Sequence, residues 1–273
     1  MSPEKPAVSR RQAFFIHLGI SLAIFAAVLG LLILVWYPWP LFDLEGGWKG
    51  VRLVALVDIV LGPALTLVLF KPGKPGLKFD MSLVVLMQVG ALVYGMWNLY
   101  EARPVMLVHA DDHVQALSRA RLAEIDSSGA ALDKWEALTP RWISVDLPLD
   151  PIEFADVFTS TYDSPGGVHG LVERYRPLHE RWRQVLPSAV RIEPYVAGNE
   201  SWQQRLSELI QSLDRPVTEL AFLPYIGRRD RLFLAFDRVS MEVVGVLDVP
   251  YDPALAQPEV PRSARTDTEQ APR

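Results

Sequence analysis

The stretch VDIVLGPALTLVLFKPGKPGLKFD, Val57–Asp80, decides how the rest of the chain is read. Asp58 stands near the start of an apolar run, and Gly62-Pro63 stands near its middle. A turn holding Lys71, Lys74 and Lys78 closes it. A buried helix of a soluble core accommodates none of these features easily. A helix crossing a bilayer and turning at the headgroups accommodates all of them.

Working outward, the apolar run extends back to Leu53 and is interrupted by Asp58 and Thr66 alone. Ala13–Trp36 is nearly all apolar, with His17 its one titratable group, and Met81–Trp97 holds no formal charge. Each run can cross a hydrocarbon core of roughly 30 Å, given some tilt. No comparable run follows Arg103. The expectation is three N-terminal transmembrane helices, at about 13–36, 53–70 and 81–97, within a membrane region spanning 13–103. The first run exceeds the roughly 7–15-residue core of a cleaved leader and is expected to remain as an anchor.

Lysine and arginine favour the cytoplasmic side in short loops. Lys5, Arg10 and Arg11 precede the first run, and Lys71, Lys74 and Lys78 follow the second, against Lys49 and Arg52 between the first and second. The expected topology is a cytoplasmic segment at 1–12, an outer loop at 37–52, a cytoplasmic turn at 71–80, and everything after the third span outside. In a bacterium this means the inner membrane and the periplasm. From residue 101 onward, 27 acidic residues face 19 basic ones. Such a surface disfavours nucleic acid and anionic lipid. The absence of cysteine excludes disulfides, thiol catalysis and thiolate metal sites.

The part after the membrane, 104–250, reads as a small α+β domain on an antiparallel sheet. Pro104–His109 and His113–Leu117 suggest a hairpin, and Arg141–Leu147 alternates with the period of a strand. Ile152–Thr159, Leu171–Val185 and Trp202–Leu213 look helical. Glu219–Pro224, Arg231–Phe236 and Glu242–Val249 look like strands joined by turns. The segment 251–273 is rich in Pro, Ser, Thr and charge, and disorder is expected there.

Asp58 is the sharpest residue, because an ionisable group within a span is costly and marks function by default. By the apolar boundaries it lies about six residues inside the second span. Tyr94 and Asn98 return to that depth on the third span as hydrogen-bonding candidates. Gln88 is a further intramembrane polar candidate, and Gly62-Pro63 predicts a helix bend. His109-Ala-Asp-Asp-His113 contains metal-ligand residue types, but it falls where a hairpin turn is expected, so no metal is assigned. Ser164–Gly170 is glycine-rich but lacks the Lys-Ser end of a phosphate loop. No nucleophile, zinc-protease or kinase motif occurs. No enzyme, cofactor or small-molecule substrate is read from the residues.

The ordered set D-x-x-L-G-P-x-L-T (from Asp58 to Thr66), F-K-P-G-K-x-x-L-K-F-D (Phe70 to Asp80), Q-x-x-A-L-x-Y-G (Gln88 to Gly95) and R-P-V (Arg103 to Val105) resembles the type IV pilin accessory protein family, TfpX/TfpZ. The resemblance covers about 50 residues of the membrane part. It implies an inner-membrane chaperone or assembly modulator whose partner is a type IV pilin subunit, supporting pilus biogenesis. The competing reading is a membrane-tethered periplasmic sensor or ligand-binding protein. The inner segments are too short to hold an output domain for such a sensor. A membrane enzyme using Asp58 would need a second group at that depth, for which Tyr94 is the one candidate.

Overall fold

The computed structural model describes residues 8–228, 230–261 and 264–265. Lys5, Arg229 and the tail beyond Arg265 lie outside the described residues. The chain divides into two compact units between Arg103 and Pro104.

The first unit contains three helices long and apolar enough to cross a membrane: Arg10–Trp36, Gly47–Leu69 and Leu77–Ala102. The first starts at a capping box, with the Ser9 hydroxyl accepting from Gln12 N–H and the Gln12 side chain accepting from Ser9 N–H. The second span begins earlier than its apolar run, because the helix continues through Trp48, Lys49 and Arg52. Asp58 therefore sits eleven residues from Gly47 and eleven from Leu69, at mid-helix and deeper than its apolar boundary suggests. The polar-looking loop before this helix is folded: Tyr37 and Phe42 are buried with Leu32 of the first span and Val51 of the second. A methyl group on Gly47 would stand 2.6 Å from the Phe42 ring, so glycine admits the close approach.

The second and third spans are joined by two successive tight turns, Lys71–Lys74 and Lys74–Leu77. Lys74 N–H donates to Lys71 O at 3.1 Å, and Leu77 N–H donates to Lys74 O at 3.2 Å. Each turn places proline second and a positive-φ glycine third, Gly73 at 76° and Gly76 at 80°. That is the sequence a type II turn requires. Lys71, Lys74 and Lys78 are all exposed, and Lys74 pairs with Asp80 at 2.5 Å.

The second unit carries a seven-stranded sheet: β1 (Pro104–Ala110), β2 (His113–Ser118), β3 (Arg141–Val145), β4 (Tyr175–Pro177), β5 (Leu220–Ile226), β6 (Arg231–Asp237) and β7 (Val243–Leu247). The order is β4-β3-β1-β2-β5-β6-β7. The expected hairpin of β1 and β2 is present, and β5, β6 and β7 form an antiparallel meander. The sheet is nevertheless mixed, which corrects the antiparallel expectation: β1 pairs with β3, and β2 with β5, in parallel. Parallel neighbours need long crossovers, and the segments 111–140 (from β1 to β3, through β2) and 119–219 (from β2 to β5) supply them. β1 is buried along its whole length because strands flank it on both sides.

Leu171–Val185, expected as one helix, is instead a run of 3₁₀ turns, the edge strand β4 and a short helix at Trp182–Val185. Pro177 explains the break, since it lacks an N–H and biases Arg176 away from helical backbone. The helix Glu200–Leu213 is capped by the Asn199 side chain and lays Leu206, Leu209, Ile210 and Leu213 on the second core cluster, with β5–β7.

The segment from Tyr251 to Pro261 differs from its expected disorder. Tyr251 is buried, and Pro258 bridges to Val190. Arg191 N–H donates to Gln257 O at 2.9 Å, and Glu259 N–H to Ala189 O at 2.7 Å. Glu259 also forms an ion pair with Arg238. Composition favoured disorder here, but backbone pairing and one buried aromatic ring supply the missing stabilisation.

Candidate functional site

Along the second span, Gly50, Val54, Asp58, Gly62 and Thr66 recur every four residues. Residues four apart share one helical face, and Val54, Asp58, Gly62 and Thr66 are all buried. An ideal α-helix would rotate such a row around its surface. Here Leu56–Leu61 winds as a π-helical turn, whose wider winding keeps Asp58 and Gly62 in line. The α-helix resumes at Gly62-Pro63, with proline, which lacks an N–H, at the second position of its first turn.

This face meets polar side chains from both neighbouring spans. His17 Nδ1 lies 2.5 Å from Thr66 Oγ1. Gly62 packs directly against Gln88: a methyl group there would stand 1.9 Å from the Gln88 amide nitrogen. Ser21 is buried in the first span. His17, Ser21, Asp58, Thr66 and Gln88 line one cavity of about 540 Å³ that is otherwise apolar. Asp58 is 6% exposed. Its Oδ2 has no hydrogen-bond partner among the described residues.

Two predicted partners of Asp58 are placed differently. Tyr94 is 71% exposed on the third span. The Asn98 amide donates to the Tyr94 carbonyl at 2.7 Å. Both line a second cleft that Asp58 also borders, but neither is hydrogen-bonded to it in the described contacts. The residues that do cluster with Asp58 include His17, Ser21 and Thr66, none of which is among the expected site residues. The four-residue spacing of Asp58, Gly62 and Thr66 could have revealed Thr66. His17 and Ser21 lie on another helix, and no local pattern connects them to it.

In the second unit, the histidines of the His109–His113 segment are satisfied structural groups. The Ser188 hydroxyl donates to Val185 O at 2.6 Å, so His109 Nε2, 2.9 Å away, donates to Ser188 Oγ. His169 Nε2 donates to His113 O at 3.3 Å, and its ring lies 4.3 Å from that of His113. Burial, aided by the His113 charge, pushes both His109 and His169 down to about 3, so both are neutral near neutrality. Burial alone would raise Asp112, but the hydrogen bonds from His113 and Tyr251 and the His113 charge outweigh it and hold the carboxyl below its usual range. Among the described residues, no group of three or more His, Cys, Asp or Glu side chains is arranged to hold a metal ion.

The family described as "Fimbrial assembly protein FimB" matches residues 5–46. Similar proteins from Dichelobacter nodosus carry fimbrial assembly names. "Fimbrial assembly protein, serogroups C1 and C2" is 40% identical over 107 residues, covering 38% of this chain and 81% of the relative. "Fimbrial assembly protein, serogroup I" is 40% identical over 107 residues, covering 38% of this chain and 41% of the relative. "Fimbrial assembly protein, serogroup E1" is 39% identical with the same coverage. The match thus spans about two-fifths of the latter two proteins. No solved structure matches the chain.

Proposed function

The chain belongs to the fimbrial assembly protein family, and on that premise we propose that it is an inner-membrane accessory protein for a type IV pilin subunit. In this reading it acts as a chaperone or assembly modulator of the TfpX/TfpZ kind. The similarity to proteins named for fimbrial assembly carries the proposal. Three helices of membrane-crossing length and apolarity support a membrane location. The excess of Lys and Arg before the first span and in the Lys71–Lys78 turn supports a cytoplasmic N-terminus and a periplasmic second unit.

The division of labour follows from chemistry. A pilin subunit awaiting assembly presents an apolar helix to the membrane and a globular head to the periplasm. A partner with an apolar cavity that holds a few polar side chains among its spans, and a folded domain beyond them, can engage both. Asp58 is the group on which the membrane half depends, because a carboxyl buried among apolar helices is costly unless it is used.

The test is genetic. Deleting the gene in a host that displays type IV fimbriae should reduce surface fimbriae, and the intact chain should restore them. Asp58→Ala should insert and accumulate normally yet restore them poorly. Normal fimbriation in the deletion strain would overturn the proposal.

A further inference from the structure

We propose that the groove between the first and third spans, with Asp58 on its floor, docks one transmembrane helix of a partner that carries an uncharged hydrogen-bonding side chain at mid-membrane depth. The inference rests on the membrane reading above and names the chemistry that the groove selects.

Ile16, Ile20 and Ile24 recur every four residues along one wall, and Val85, Val89 and Leu92 line the other. Ile16, Ile20, Val85 and Val89 are all exposed, so the walls have no partner within the described chain. The second span closes the bottom with Asp58 and Thr66, and Phe70 follows directly after its end. Thr66 is already bonded to His17, but Asp58 Oδ2 is buried without a partner among the described residues. Hydrocarbon supplies no replacement for a missing hydrogen bond, so this atom is costly until something bonds to it.

The choice of occupant follows from that carboxyl. A lipid acyl chain would cover the isoleucine and valine walls and leave Oδ2 unsatisfied. A second copy docking the same groove face to face would set Asp58 against Asp58, bringing like groups together. A helix is the simplest spanning element that satisfies its own backbone in hydrocarbon, and one polar side chain on it would complete the floor. A lysine or arginine would answer the charge, but burying it at the bilayer centre is itself costly. An amide both donates and accepts, so it suits Asp58 whether or not the carboxyl is protonated. Apolar walls over a floor where Asp58 Oδ2 lacks a partner among the described residues are an arrangement that interhelical hydrogen bonds exploit in membranes.

The probe is a designed leucine-rich transmembrane peptide with one central asparagine, compared with its all-leucine parent. The full chain, donor-labelled, is reconstituted in phosphatidylcholine vesicles, and binding is read by energy transfer at low peptide density. The asparagine peptide should bind about tenfold tighter than its parent. Moving the asparagine near the peptide end should abolish the preference, as should Asp58→Ala. Val89→Trp, which narrows the groove from an exposed wall position, should weaken binding without touching Asp58, with helical circular dichroism unchanged. Equal binding of the two peptides, or a preference that survives Asp58→Ala, would overturn the proposal. So would an Asp58-dependent self-association of the chain that excludes the peptide. The probe contains no pilin sequence, so a failure here leaves the fimbrial role standing. Loss of the fimbrial role would leave the groove's selectivity measurable.

Discussion

His17 Nδ1 and Thr66 Oγ1 meet at 2.5 Å, joining the first and second spans across 49 positions of sequence. Neither group can be left unpaired cheaply inside a membrane. The bond fixes how the two helices face one another, and so turns the row of Asp58, Gly62 and Thr66 toward the cavity. The Arg10 guanidinium adds a second tie at the same end, donating to Phe70 O at 2.9 Å.

Replacing Thr66 by valine keeps the shape and removes the hydroxyl. We expect this to lower the resistance of the helical unit to unfolding by about 0.5–2 kcal/mol, the range for interhelical hydrogen bonds in membranes. Thr66→Ser should lose less. The measurement is unfolding in mixed detergent with rising dodecyl sulfate, and equal midpoints for Val and Thr would show that packing alone orients the helices.

The second unit should weaken in acid. His109 and His169 titrate at about 3 in the folded chain, against 6.5 as the ordinary value. The unfolded chain therefore takes up protons that the folded chain refuses. Stability is complete above pH 6.5 and falls as pH drops from there toward 3. The slope approaches about 1.4 kcal/mol per pH unit for each histidine. Near-ultraviolet circular dichroism melts of the full chain across this range should show it, and His169→Phe should make the fall roughly half as steep. A flat profile between pH 6 and 4 would contradict the burial of these rings.

Ending the chain after Leu255 should destabilise the second unit. It removes the pairing of Gln257 with Arg191 and of Glu259 with Ala189, and it leaves Arg238 without the Glu259 carboxylate. Net values of about 1 kcal/mol per hydrogen bond predict a loss of roughly 2–4 kcal/mol. The check is the thermal midpoint of the truncated and complete chains in the same detergent. An unchanged midpoint would return this segment to the disorder that its composition suggests.

The topology is tested by paired fusions. A reporter active only in the periplasm should be active after Arg273 and silent when inserted at Gly73, in the turn of exposed lysines. The reverse pattern would invert the orientation drawn from the Lys and Arg distribution.

Some of this was legible from short windows. Three apolar runs of sufficient length, the two Pro-Gly turns between the second and third, and the alternation along β3 are local patterns. The helix boundaries were less legible, because Trp48, Lys49 and Arg52 lower the hydropathy of a helix that continues through them. Pro177 was visible, yet the helical look of Leu171–Val185 outweighed it until β3 supplied a strand for Tyr175–Pro177 to pair with.

By itself the sequence determined which segments are apolar enough for a membrane, where the turns fall, and that a carboxyl lies within the second span. Those properties depend on residue type and near neighbours. The tertiary structure alone decided that the sheet is mixed, that Asp58 shares a cavity with His17, Ser21 and Gln88, and that Tyr94 faces outward. Each of these depends on which distant elements come to lie side by side. Periodicity reports the face a residue occupies on its own helix or strand, but it carries no information about what that face will meet.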